Sequence, residues 1–241
     1  MRYAFISDIH GNLHALDLTL ADLEHQQIDQ IICLGDIASL GPQPREVIAR
    51  LRHLRIPILM GNHETYLLQP HLTQAHHPWL RAAEQWCVSL LEADELAFLS
   101  TFPAHLRLAP TERTSLFCFH GSPRSNEEFL YPPTPTETIS EIFDEYSDTL
   151  FIGGHTHVQL ARQHKGRLLL NPGSVGAPFE FPRHGPNQRI FPWAEYAIVE
   201  ATEEHLTTSL HRIPIHFEQL AQSARASGIP DVEFWLSTWV V

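Results

Sequence analysis

The chain has 241 residues, 43% of them hydrophobic, with 28 acidic against 16 basic side chains and a formal net charge of −12. Length and hydrophobic content suit one globular domain over residues 1–241. The acidic balance, with Lys165 as the single lysine, lacks the basic stripe that grips a long nucleic acid along its phosphates.

No run approaches the roughly 20 apolar residues that cross a bilayer, and no membrane role is expected. Cys33, Cys87 and Cys118 fall in predicted strands or a helix, as reduced core residues do. The first strand starts too close to Met1 for a signal segment, so a cytoplasmic protein is expected.

Tyr3-Ala4-Phe5-Ile6-Ser7 reads as a buried strand running into Asp8-Ile9-His10. Asn12 then caps a predicted helix carrying Leu13, Leu16, Leu20 and Leu23 at helical spacing. Ile31-Ile32-Cys33-Leu34 is a second strand ending in Gly35-Asp36, and Pro44 opens a helix with Val47, Ile48, Leu51 and Leu54. Ile56-Pro57-Ile58-Leu59-Met60 is a third strand, ending in Gly61-Asn62-His63-Glu64. The β-α-β-α-β order implies parallel strands joined by right-handed crossovers.

Residues 79–99 are predicted helical, with Trp86, Leu90 and Leu91 on one side. Leu116-Phe117-Cys118-Phe119 is a strand running into His120-Gly121, and residues 137–146 form a helix. Leu150-Phe151-Ile152 runs into Gly153-Gly154-His155-Thr156-His157. Arg167-Leu168-Leu169-Leu170 precedes the tight loop Asn171-Pro172-Gly173-Ser174-Val175-Gly176. Residues 195–200 and 205–213 resemble two strands joined by a polar turn, predicting a second sheet packed on the first. A last helix is predicted over 217–226. The aromatic segment Phe234-Trp235-Leu236-Ser237-Thr238-Trp239 is expected to pack on the body, with self-association as the alternative. The Pro-rich stretches 122–135 and 178–193 follow predicted site residues, as walls of a substrate site or as plain structural cover.

Five of these apolar runs end in a residue able to bind a hard metal ion, and open α/β sheets build their sites beyond the carboxyl ends of strands. Singly, each piece has an ordinary explanation: a helix-initiating turn for Asp8 and His10, a capping Asp36, a helix start at Asn62, a satisfied core histidine at His120. The pair His155 and His157 beyond two glycines has little structural purpose. Together the tips supply two Asp, one Asn and four His with no thiolate, a donor set suited to manganese, iron or zinc rather than to an iron–sulfur cluster or a purely oxygen-ligated ion. His71, His76, His77 and His184 lie in polar or Pro-rich loops and are expected to have no metal role.

In chain order, Asp8-Ile9-His10, Gly35-Asp36, Gly61-Asn62-His63-Glu64, His120-Gly121 and Gly154-His155-Thr156-His157 resemble the calcineurin-like metallophosphoesterase superfamily. Asp8-Ile9-His10-Gly11-Asn12-Leu13, Gly41-Pro42, His120-Gly121-Ser122-Pro123 and Asn171-Pro172-Gly173-Ser174-Val175-Gly176 are similar to its small bacterial phosphodiesterase branch. The resemblance implies an α/β (α+β) fold of two mixed sheets packed as a sandwich flanked by helices. It implies two divalent ions: Asp8, His10 and His157 on one, Asn62, His120 and His155 on the other, and Asp36 bridging. His63 would lie beside the substrate phosphate as general acid or transition-state stabiliser, and Asn12 near the phosphate or as a cap. In that branch Pro-Arg often follows the Gly-Ser-Val-Gly loop. Here Ala177-Pro178-Phe179 follows, leaving Arg183, Arg189 or Arg124 as substitutes for that arginine, and Glu64 either orients His63 or forms an ion pair.

Two such ions, roughly 3.5–4 Å apart, would activate a shared water for in-line attack on phosphorus, and His63 would supply the leaving group's proton or stabilise the developing charge. The expected activity is hydrolysis of a small phosphodiester, with manganese the expected metal and iron or zinc as alternatives. The rival expectations are a phosphomonoesterase of the same superfamily and a non-catalytic binding scaffold. A homo-oligomer is compatible with either.

Overall fold

In a computed structural model of the chain, residues 1–73, 77–181 and 189–240 are described. The strands are β1 (Arg2–Ile6), β2 (Gln30–Cys33), β3 (Leu106–Leu108), β4 (Leu116–Cys118), β5 (Leu150–Ile152), β6 (Leu160–His164), β7 (Arg167–Asn171), β8 (Trp193–Ala201) and β9 (Leu206–Pro214). The helices are α1 (Leu13–Leu23), α2 (Pro44–Leu54), α3 (Asn62–Leu68), α4 (Pro78–Leu90), α5 (Ala93–Leu99), α6 (Thr136–Phe143), α7 (Phe217–Ser227) and α8 (Val232–Ser237).

One sheet has the order β2-β1-β8-β9 and the other β3-β4-β5-β7-β6, each mixing parallel and antiparallel pairs. Side-chain alternation along β1 decides the layering. Tyr3 and Phe5 face inward, in one cluster with Leu116, Cys118, Leu150 and Ile152 of the opposing sheet. Ala4 and Ile6 face outward beneath Leu16 and Leu20 of α1, Val47 and Leu51 of α2 and Leu220 of α7. The far face of the second sheet packs Phe117, Phe151 and Leu169 against Ile139, Ile142 and Phe143 of α6. The result is a sandwich of two mixed sheets flanked by helices, each fully buried large side chain contributing about 1.5–3 kcal/mol.

Several expectations need correcting. The 195–200 and 205–213 strands do not found the second sheet; β8 pairs antiparallel with β1, Ala4 opposite Ile198, and β9 completes that same first sheet. The second sheet is built around β4, β5 and β7, so the five tips come from two sheets rather than one. The run from Ile56 to Met60 makes only one bridge, Ile58 to Cys33, because Pro57 has no N–H to donate to a ladder. Residues 79–99 are two helices: Leu91 is extended (ψ 135°), and Glu92 and Glu95 form a capping box that restarts the chain as α5.

Cys33, Cys87 and Cys118 are free and buried. The aromatic C-terminal segment packs on the body, with Trp235, Leu236 and Trp239 in the outer core. Among the described residues no helix is long and apolar enough to cross a membrane.

Candidate metal centre

Asp8 and His10 lie just beyond β1, Asp36 beyond β2, Asn62 at the start of α3, His120 beyond β4, and His155 and His157 beyond β5. Backbone bonds stitch the tips to one another: Asp8 N to Gly35 O, His10 N to Asp36 O, and Gly176 N to Asp8 O, each 3.0 Å. The two sheets meet where His155 N donates to Asp8 Oδ2 at 3.0 Å, while Gly154 N donates to His120 O at 2.6 Å between the tips of β5 and β4 within the second sheet. Gly154 is forced at this seam, since a Cβ there would lie 2.1 Å from Ser7 Oγ.

The side chains converge. Ligand atoms of Asp8, His10 and His157 lie within 4.8 Å of one another, as do those of Asp36, His120 and His155. Asp36 lies between these groups, its Oδ2 3.2 Å from His120 Nε2 and 3.8 Å from His10 Nε2. Asn62 Oδ1 is 3.1 Å from His120 Nε2, on the second group's side. His10, Asp36 and His63 form a third close group, so His63 stands within reach of the centre.

Each imidazole is oriented by a backbone carbonyl. His10 Nδ1 meets Ser39 O at 3.1 Å, His120 Nδ1 meets Leu34 O at 2.8 Å, and His157 Nδ1 meets Ala177 O at 2.6 Å, leaving Nε2 to face inward. His155 is turned the other way: Nε2 meets Glu127 O at 3.2 Å, and Nδ1 is left as its acceptor. Phe129 of the 122–135 stretch stacks on His155, and Phe179, in the described part of 178–193, stacks on His157, so both rings wall the centre.

Five of these seven residues adopt the left-handed region: Asp8 (φ 54°), His10 (48°), Asp36 (55°), His155 (67°) and His157 (58°). For a residue with a Cβ this costs about 1 kcal/mol or more, strain that concentrates at functional sites.

The centre's chemistry fits cations. His10 Nε2 and His157 Nε2 approach to 3.0 Å although both rings have their Nδ1 on carbonyls, which points two lone pairs at each other. Asp8 Oδ1 is buried without a hydrogen bond, with His157, His10 and His120 Nε2 at 3.3, 3.9 and 3.9 Å. Burial and its neighbour His157 hold His10 down to about 3, and burial with His120 holds His155 down to about 3, keeping both neutral as metal binding requires. Burial works against charge on His120, yet Asp36 and Asp8 push it up to about 10. A proton drawn so strongly onto His120 marks a place of negative potential that a metal ion would fill.

The family model for the calcineurin-like phosphoesterase superfamily domain matches residues 1–203. The chain belongs to that superfamily. Over 250 aligned residues it is 31% identical to the protein MJ0912 of Methanocaldococcus jannaschii, covering 97% of this chain and 94% of that one. It is 24% identical over 188 residues to the phosphodiesterase YfcE of Escherichia coli, covering 74% of this chain and 81% of the relative. The crystal structure of a metallophosphoesterase from Sphaerobacter thermophilus superposes with a TM-score of 0.74 at 28% identity, covering 99% of both chains. The protein is thus a metallophosphoesterase.

For this phosphoesterase, not every predicted role survives. Asn12 is 1% exposed; its Oδ1 accepts from Ala15 N at 3.1 Å as a helix cap and its Nδ2 donates to Gly176 O at 3.0 Å. Its amide is a structural tie, as the capping alternative expected. Glu64 neither orients His63 nor forms an ion pair: fully buried, it accepts from Asp36 N (2.7 Å), Ile37 N (2.8 Å) and Gly61 N (3.0 Å). Burial and Asp36 push Glu64 up to about 7.

The carboxylate facing His63 has no signature in spacing or motif: it is Glu84 of α4, whose Oε1 is 3.4 Å from Nδ1. Of the substitute arginines, Arg124 is paired with Glu128 near the protein surface, and Arg183 lies outside the described residues, as do His76 and His184.

Proposed function

We propose that the protein hydrolyses a small phosphodiester, as a single domain over residues 1–241, with two divalent ions, manganese first and iron or zinc in its place. Asp8, His10 and His157 hold one ion, and Asn62, His120 and His155 hold the other. The observation that carries this reading is Asp36, whose one carboxylate lies within 4 Å of an imidazole from each group, where a bridging ligand belongs. When bound, such a pair supplies an activated water and neutralises the phosphate's non-bridging oxygens.

The chain's own groups do the rest. The carbonyls of Ser39, Leu34, Ala177 and Glu127 fix the imidazoles, so no reorganisation is needed as charge develops. His63, its side chain 15% exposed and its ring centroid 5.1 Å from that of His10, donates the proton a departing alkoxide needs. No Ser or Cys nucleophile is called for. The likeness to a phosphodiesterase over most of the chain supports diesters as the substrate class, and the acidic surface argues for small molecules over polymers.

The test is Mn²⁺-loaded protein on bis(p-nitrophenyl) phosphate and p-nitrophenyl phosphate, beside His63→Asn and Asp36→Asn. Diester turnover lost in both variants is expected. Preference for the monoester would move the protein among the phosphomonoesterases. No turnover of either, with fewer than one ion per chain, would leave a binding scaffold.

A further inference from the structure

Beside the centre lies a cavity of about 280 Å³, bounded by His10, His157 and the Phe179 ring that covers His157 on the metal side, and by Leu80, Phe234 and Trp235. Its far wall is α8, which lies beyond the residues 1–203 matched by the family model. The aromatic C-terminal segment is therefore more than packing: it shapes the space next to the ligands.

Several polar groups of the described residues around this cavity are already engaged. Thr238 Oγ1 donates to Trp235 O at 2.6 Å, Trp79 Nε1 to Pro230 O at 2.7 Å, and His157 Nδ1 to Ala177 O at 2.6 Å; His77 Nδ1 accepts from Trp79 N at 3.2 Å. What faces inward is mostly carbon and ring surface. His77 and Phe234 stack with centroids 5.4 Å apart and planes 13° apart, and Phe179 covers His157 at 4.1 Å and 12°.

We infer that this cavity receives one alcohol of the substrate's phosphate ester, and that the alcohol carries an aromatic ring. The inference rests on the phosphodiesterase reading, because His10 and His157 border both the cavity and the proposed phosphate position. A ring system of one or two rings fits this volume, which is close to the lower end of small-ligand sites. Ring faces complement stacked aromatic walls. A glycerol or sugar would find few partners for its hydroxyls there, a loss that discriminates against it.

Calorimetric titration of the Mn²⁺-loaded protein with methylphosphonate, benzylphosphonate and 2,3-dihydroxypropylphosphonate tests this, because each carries the same metal-seeking head. Benzylphosphonate is expected to bind roughly tenfold to a hundredfold more tightly than methylphosphonate, and the dihydroxypropyl compound no better than methyl. In Leu80→Trp, which fills the cavity, the benzyl-to-methyl ratio falls to about threefold or less. Phe234→Ala, which removes a wall, lowers the ratio as well and decides the matter should the bulkier variant not fold. Equal affinities in the wild type, or a ratio that survives both substitutions, overturn the inference while leaving the phosphoesterase reading intact. No binding of any phosphonate to metal-loaded protein removes that reading itself, and the inference with it.

Discussion

Glu84 Oε1 stands 3.4 Å from His63 Nδ1, and its other oxygen accepts from Thr73 Oγ1 at 2.6 Å. The proposed acid thus faces a carboxylate, 6% exposed, from a helix that contributes none of the proposed metal ligands, α4. Burial disfavours charge on His63, yet Asp36, Glu84 and Glu64 together raise its pKa above the usual histidine value. As a proton donor, His63 works below its pKa, and the rate falls as pH rises through it.

Glu84→Gln removes one of the charges that favour the protonated ring. The alkaline limb of the kcat profile should therefore move to lower pH, with metal content preserved. His63→Asn should lose that limb altogether and about a hundredfold or more in kcat. A limb unmoved in Glu84→Gln would show that this pair does not set the protonation of His63.

Metal binding should stabilise the fold, since the unfolded chain has no preformed site. At a free metal concentration about a hundred times Kd the gain is about 2.7 kcal/mol, or roughly 5–10 °C in Tm for a chain of this size. Differential scanning calorimetry with and without chelator measures it. Asp8→Asn keeps a residue that tolerates the left-handed backbone but removes the charge, and its metal-dependent increment should shrink to a small fraction of the wild-type value.

Gly61→Ala should act on a residue it does not replace. The new Cβ would come 2.1 Å from Asp36 Oδ1 and 2.6 Å from Asp36 N, displacing the carboxylate between the two groups. Overpacking of this kind costs about 1–3 kcal/mol, and elemental analysis should find less than the wild-type metal content. Wild-type content together with wild-type Tm would mean that the loop yields without moving Asp36.

Glu64→Ala should be more damaging than its distance from the chemistry suggests. It strands three buried backbone N–H groups, of Asp36, Ile37 and Gly61, each costing about 1–3 kcal/mol. A Tm lowered by roughly 6 °C or more is expected from thermal melts. A drop under about 2 °C would indicate that water replaces the carboxylate there.

Much of the centre could be read from order and spacing, because each donor follows a short apolar run that a buried strand needs. Asp8, Asp36, His120, His155 and His157 are brought together as the runs implied. What spacing could not convey was which sheet each strand joins: residues 193–214 look the same whether they start a new sheet or close an old one. The supports of the centre were equally hidden. Glu84 is one acidic residue in a helix, and Glu64 is next to His63 in sequence, yet folding makes the distant one its partner and turns the adjacent one toward the backbone of Asp36 and Ile37. Carbonyls such as Ser39 O and Ala177 O carry no side-chain signature.

The pairing of β1 with β8 also constrains the order of assembly during synthesis. Arg2 and Glu200, which form an ion pair across that ladder, are 198 positions apart. While the ribosome is still extending the chain, β1 has β2 beside it but an open edge on its other side, and Asp8 lacks the bond from Gly176 N. Such long-range closure is slow and leaves the edge exposed to aggregation in the meantime. A nascent chain interrupted before β8 emerges would carry every donor from Asp8 to His157, yet the edge of β1 that β8 covers would stay open.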